Sequence, residues 1–188
     1  MKPVHLPIPA GPGLLGLLGL LSLFSANSFA ALDIGEDAPK FVANVSINGQ
    51  AQNFSLSDEL RKGPVVVYFF PSSFSTGCSI EAHNFAEAID QFKAAGATVV
   101  GISRDDIDTQ KKFSVTACNG KFAVAADPDL AIAKSYDAVL TTRPDYANRI
   151  SYVIAPNGKI TYRYSSLNPT KHIENTLNAV KELHAQVH

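Results

Sequence analysis

The chain has little cysteine: two residues among 188, Cys78 and Cys118. Its fold must therefore rest on a buried apolar core, which a chain of this length can supply without cross-links or metals. There is no Cys-x-x-Cys pair, since position 75 is serine, and this argues against an exported disulfide reductase. Charge of one sign is not in excess either, with 16 basic and 17 acidic side chains and a net charge of −1. That balance gives no broad field for nucleic acid or an anionic membrane and favours small soluble partners. The five histidines, His5, His83, His172, His184 and His188, are not grouped with the further ligands of a metal site. His184 and His188 read as an exposed helix end and His83 as a solvated helix residue. Repeats, low-complexity tracts and internal linkers are absent from residues 31–188.

A long hydrophobic run is missing as well. The longest, Leu14 to Phe24, is interrupted by glycines and Ser22 and is too short to span a bilayer. Lys2 is the one formal charge before it, and the small residues Ser28 and Ala30 follow. This pattern predicts a secretory signal over residues 1–30, cut before Ala31, with an uncleaved anchor as the alternative. Residues 31–188 are then one domain, exported and periplasmic. The Gly11 to Gly19 piece belongs to the leader and is not a phosphate loop.

In the remainder, Phe41 to Ile47 and Ala51 to Leu56 flank Asn48-Gly49, a pair suited to a type I′ hairpin. Val65 to Phe70 lacks polar alternation and predicts a central parallel strand covered on both faces. From Cys78, the residues Cys78, Ala82, Phe85, Ala86, Ile89 and Phe92 recur at helical spacing up to Gly96, with Glu81, Glu87, Asp90 and Lys93 assigned to the polar side. Val99 to Ser103 and Phe122 to Ala126 read as strands, and Thr109 to Ala117 and Asp129 to Tyr136 as helices. Ser151 to Ala155 and Lys159 to Tyr164 form a second hairpin around Asn157-Gly158. Asn168 and Pro169 open a last helix with the stripe Ile173, Leu177, Val180, Leu183 and Val187. The order β-β-β-α-β-α-β-α-β-β-α predicts an α/β three-layer sandwich with a mixed central sheet and an N-terminal β-hairpin.

Strand, tight loop and helix together place Cys78 in the first turn of a helix, where free amides and the positive end of the macrodipole favour negative charge. A thiol of reference pKa ~8.5 is activated toward its thiolate by such a position and a nearby cation. Pro71 stiffens the exit from the strand, Ser75 offers a hydroxyl, and Gly77 allows close approach to a small ligand.

The segment Tyr68-Phe-Phe-Pro71-x-x-x-Ser75-x-x-Cys78, with Glu81 three residues on, resembles the active-site signature of the peroxiredoxins, the AhpC/TSA superfamily. The resemblance runs from about Gly35 through Phe54-Ser-Leu-Ser and Asp127-Pro-Asp to Ile150-Ser-Tyr-Val-Ile-Ala-Pro-Asn-Gly-Lys-Ile, and is strongest to the bacterioferritin comigratory protein or Q-type branch. It implies a thioredoxin-like sandwich, with Cys78 as peroxidatic nucleophile, Ser75 holding the peroxide and Pro71 shielding the sulfenic acid. Arg149 matches the arginine of the family pattern, with Glu81 orienting it and Arg143 and Arg104 as lesser candidates. Thiolate attack on an O–O bond builds charge on the departing oxygen, which a guanidinium and amide donors stabilise.

A sulfenic acid condenses with a second thiol to a disulfide. Position 83, where many Q-type members carry a resolving cysteine, is histidine here, which leaves Cys118 as the internal candidate. Three readings of Cys118 stay open: a resolving thiol, half of a permanent Cys78–Cys118 disulfide, and a buried bystander. The expected activity is reduction of hydrogen peroxide and small organic hydroperoxides, with recycling by a thioredoxin-like or other thiol reductant and no cofactor or metal. The resemblance leans to a monomer or weak dimer, with neither nucleic acid nor stable membrane association. The rival from another class is a non-catalytic thioredoxin-like binding or chaperone module with a structural disulfide.

Overall fold

The computed structural model describes Met1 and residues 31–187. Residues 2–30 of the assigned leader, His5 among them, and His188 therefore lie outside the described residues. Among the described residues, nine strands and five helices follow one another: β1 Val42–Ile47, β2 Gln50–Ser55, α1 Leu56–Leu60, β3 Val65–Phe69, α2 Thr76–Ala94, β4 Thr98–Ser103, α3 Ile107–Thr116, β5 Ala123–Ala126, α4 Ala131–Ser135, β6 Val139–Leu140, β7 Arg143–Ala147, β8 Ile150–Ile154, β9 Ile160–Ser165 and α5 Thr170–Val187.

Seven strands form one sheet in the order β2-β1-β5-β4-β3-β8-β9. The central β5, β4 and β3 run parallel, while both flanking hairpins pair antiparallel, so the sheet is mixed. The first hairpin turns where the sequence places it, with Asn48 at φ 49° and Gly49 at φ 77°. Every residue of β3 is buried, as its unbroken apolar run requires. Val65, Val67 and Phe69 pack on one face with Leu56 and Leu60 of α1, Ala133 of α4 and Tyr136. Val66, Tyr68 and Phe70 pack on the other with α2, Phe113 of α3 and Ile173, Leu177 and Val180 of α5. Helices thus cover both faces of the sheet, giving three layers.

Two expectations change. The sequence order lacks α1 and the β6–β7 ribbon, and both are present. The first is one turn long, with Ser55 Oγ accepting from the Asp58 amide at 3.3 Å, and such a turn carries no amphipathic period. The second contains Pro144 and is mostly exposed, so it shows no apolar alternation. A further correction concerns Glu81. Its charge assigns it to the polar side of α2, but it is completely buried beneath that helix.

Candidate active site

The sheet register builds the site. Phe69 is paired with Ile150, so the residue before β8, Arg149, lies beside the loop that leaves β3 at Pro71. That loop leads into α2 through Ser75, whose backbone is extended at φ −66° and ψ 147°. Ser75 makes no side-chain cap; its hydroxyl donates to the Ser72 carbonyl at 3.1 Å, which leaves its lone pairs free to accept. The first-turn amides of α2 are therefore not taken up by the capping side chain.

A buried polar cluster holds the loop in place. The Ser73 amide donates to Asp105 Oδ2 at 2.7 Å, and Ser103 Oγ donates to the same oxygen at 2.6 Å. Gln110 Nε2 in turn donates to Ser103 Oγ at 2.7 Å and to the Ala125 carbonyl at 3.1 Å. Phe74 adopts a left-handed φ of 62° next to this anchor, an uncommon state for an aromatic residue that its edge contact with Phe113 supports.

Cys78 sits in the first turn of α2, 1% exposed, and Arg149 Nη2 donates to its sulfur at 3.2 Å. Arg149 Nη1 donates to Glu81 Oε2, a buried guanidinium–carboxyl contact one helical turn beyond the cysteine. Gly77 eases this approach, because a Cβ there would stand a tight 3.3 Å from Arg149 Nη2. Burial opposes the charge on Arg149, but Glu81 and Cys78 outweigh it and hold its pKa above the usual value. Burial pushes the Glu81 carboxyl up to about 8, against the opposing pull of Arg149.

Of the residues named from the sequence, Arg149 touches both Cys78 and Glu81, while Ser75 and half-buried Pro71 belong to the loop that leads from β3 into α2. Arg104 and Arg143 are elsewhere: both stack on the Tyr146 ring, and Arg104 pairs with Asp145. Cys118 follows α3 in the same core layer as Cys78, and both are free thiols. Burial raises the Cys118 pKa far above its ordinary value.

His172 has no role in the sequence reading, and the structure places it behind Glu81. It is fully buried, with Nδ1 3.7 Å from Glu81 Oε1. Nothing in the sequence marks it, since helical spacing from His172 leads to Thr176 and Ala179 and not to the apolar stripe of α5.

The model of the AhpC/TSA family matches residues 34–163. The chain belongs to that family. It is 32% identical over 149 residues to the chloroplastic peroxiredoxin Q of Oryza sativa subsp. japonica, covering 74% of this chain and 68% of the relative. Its fold is that of the peroxidoxin BcpB of Mycobacterium tuberculosis, with a TM-score of 0.72 at 24% identity over 80% of this chain and 97% of the other. A mutant PrxQ of Xylella fastidiosa gives 0.72 at 24% identity over 85% and 99%. This AhpC/TSA member thus falls in the Q/bcp branch, has a thioredoxin-like fold, and is a thiol-dependent peroxidase, an oxidoreductase.

Proposed function

We propose that Cys78 is the peroxidatic nucleophile of this thiol-dependent peroxidase and that hydrogen peroxide and small organic hydroperoxides are its substrates. The observation that carries the reading is the Arg149 guanidinium 3.2 Å from the Cys78 sulfur with Glu81 behind it. The thiolate attacks one peroxide oxygen and the O–O bond breaks. Sulfur is oxidised to sulfenic acid, and the departing oxygen leaves as water or alcohol after taking a proton. Arg149 and the first-turn amides of α2 stabilise the charge that forms on that oxygen. The free lone pairs of Ser75 accept from the peroxide hydroxyl, and Pro71 covers the sulfenic acid.

Cys118 then condenses with the sulfenic acid, releasing water and forming the Cys78–Cys118 disulfide, which an external dithiol of the thioredoxin type reduces. The shared core layer and the free state of both thiols support this cycle. The protein works as a monomer or weak dimer in the periplasm, away from the membrane, after loss of residues 1–30. Support for export is the short apolar run Leu14 to Phe24 followed by Ser28 and Ala30.

Peroxide consumption by the purified protein, with Cys78→Ser and Arg149→Ala as controls, tests the centre. A wild-type rate no faster than that of a free thiol refutes it. For the second step, Cys118→Ser should accumulate trapped sulfenate and form no internal disulfide. Disulfide-independent turnover at the wild-type rate would make Cys118 a bystander. Mass measurement of the periplasmic product should find Ala31 at its N-terminus.

A further inference from the structure

The geometry points to His172 as a positioning residue of this peroxidase: its Nδ1 edge backs the second oxygen of Glu81 and so fixes how Glu81 presents Arg149 to the Cys78 sulfur. The inference rests on Cys78 being the nucleophile. Glu81 Oε2 accepts from Arg149, whereas Oε1 is buried and has no hydrogen-bond partner among the described residues. A buried carboxyl oxygen left in that state is costly, and His172 Nδ1 lies 3.7 Å from it.

The imidazole is held from both sides. Nε2 lies 2.9 Å from the Ser166 carbonyl, which can only accept, so Nε2 carries the proton. Nδ1 then offers a lone pair, which the Ser151 hydroxyl meets at 2.8 Å. The edge of the Tyr164 ring closes the third side with centroids 4.8 Å apart. Ser151 uses the only lone pair of Nδ1, so Oε1 gains no hydrogen bond from the ring at 3.7 Å, and a proton on the carboxyl or on the imidazole relieves the unfavourable contact between them. Burial favours placing that proton on Glu81: it pushes the carboxyl up to about 8 and the imidazole down to about 4.

A protonated Glu81 still accepts from Arg149 but no longer competes for its charge. The guanidinium is then directed at the sulfur, where one positive group faces one thiolate in place of two anions. The other titratable groups facing this pair are Cys78 on α2, Tyr68 on β3, Arg149 before β8 and Tyr164 on β9. On α5 itself, Lys171 and Glu174 pair with each other at the surface at 2.6 Å. The C-terminal helix thereby contributes to a centre otherwise built from α2 and the start of β8.

Three full-length variants separate positioning from packing. His172→Asn places a side-chain amide where Nδ1 lies, His172→Gln places one where Nε2 lies, and His172→Phe supplies neither. The readouts are the second-order rate of Cys78 sulfenate formation with hydrogen peroxide, its pH profile, and thermal unfolding. The Gln and Phe variants should oxidise roughly ten-fold more slowly with a displaced pH profile, and Asn should restore most of the rate. Wild-type rates in Gln and Phe overturn the inference. So does an Asn variant as slow as Gln, or losses that follow unfolding temperature with an unmoved pH profile. A Cys78→Ser protein that still consumes peroxide refutes the nucleophile itself. A silent Cys78→Ser alongside indifferent His172 variants refutes only the role of His172.

Discussion

Cys78 and Cys118 occupy one core layer and are equally covered, 1% and 0% exposed, yet their surroundings differ in kind. Cys78 has a guanidinium at 3.2 Å and the mouth of a long helix around it. Cys118 follows the end of α3 among aromatic and aliphatic side chains, where burial alone acts on it and favours the protonated thiol. Exposure therefore does not distinguish the sulfur proposed to react from the one proposed to resolve it. The charged partner does, and the partner is itself held by a carboxyl and an imidazole.

The strongest way to break the contrast is to remove that partner. Arg149→Ala should slow sulfenate formation by roughly 100-fold and, by leaving both oxygens of the buried Glu81 carboxyl without a hydrogen bond, destabilise the fold by about 2 kcal/mol. Peroxide kinetics and denaturant unfolding measure the two effects. Next in size is a pH effect. Glu81 holds its proton more tightly folded than unfolded, so its contribution is full below about pH 4.5 and is lost as pH rises through about 8. His172 has the opposite sign: its contribution is full above about pH 6.5 and is lost as pH falls through about 4. The two offset each other between those limits. Stability of the reduced protein should then fall on the order of 2 kcal/mol from about pH 6.5 to 8, and Glu81→Gln should flatten that slope.

The comparison is sharpened by alkylating the reduced native protein. Cys78 should be labelled at least about ten-fold faster than Cys118, and the difference should vanish in denaturant. The smallest effect belongs to Tyr68, whose buried hydroxyl has no partner among the described residues. Tyr68→Phe should leave stability unchanged or raise it by up to about 1 kcal/mol, as read from thermal unfolding.

The sequence made the frame legible where one physical signal dominated: the unbroken run of β3, the Asn-Gly turn, and a cysteine set at a helix start. It was also enough to bring Arg149 and Glu81 into one centre through the family pattern. The elements it concealed are those that carry no period, the single turn of α1 and the polar β6–β7 ribbon. The error over Glu81 is more instructive. Position 81 is three residues after Cys78 and four before Phe85, so helical spacing places it on the buried face. Its charge, rather than its position, argues for solvent. His172 is hidden for the same reason, since polar residues are assigned to solvent unless a partner is visible, and these partners come from distant elements.

Gly101, in the middle of β4, carries a consequence for anyone re-engineering this protein. A methyl group there would lie 2.5 Å from the Tyr68 ring, which stacks on Phe85 of α2 with centroids 4.4 Å apart. The ring is also packed against Phe70 and Phe122, so the added carbon strains the layer between β4 and the helix that bears Cys78. A glycine in the central sheet thus sets the clearance for the aromatic layer beneath α2, and enlarging it would disturb the setting of Cys78 without altering any of the residues around its sulfur.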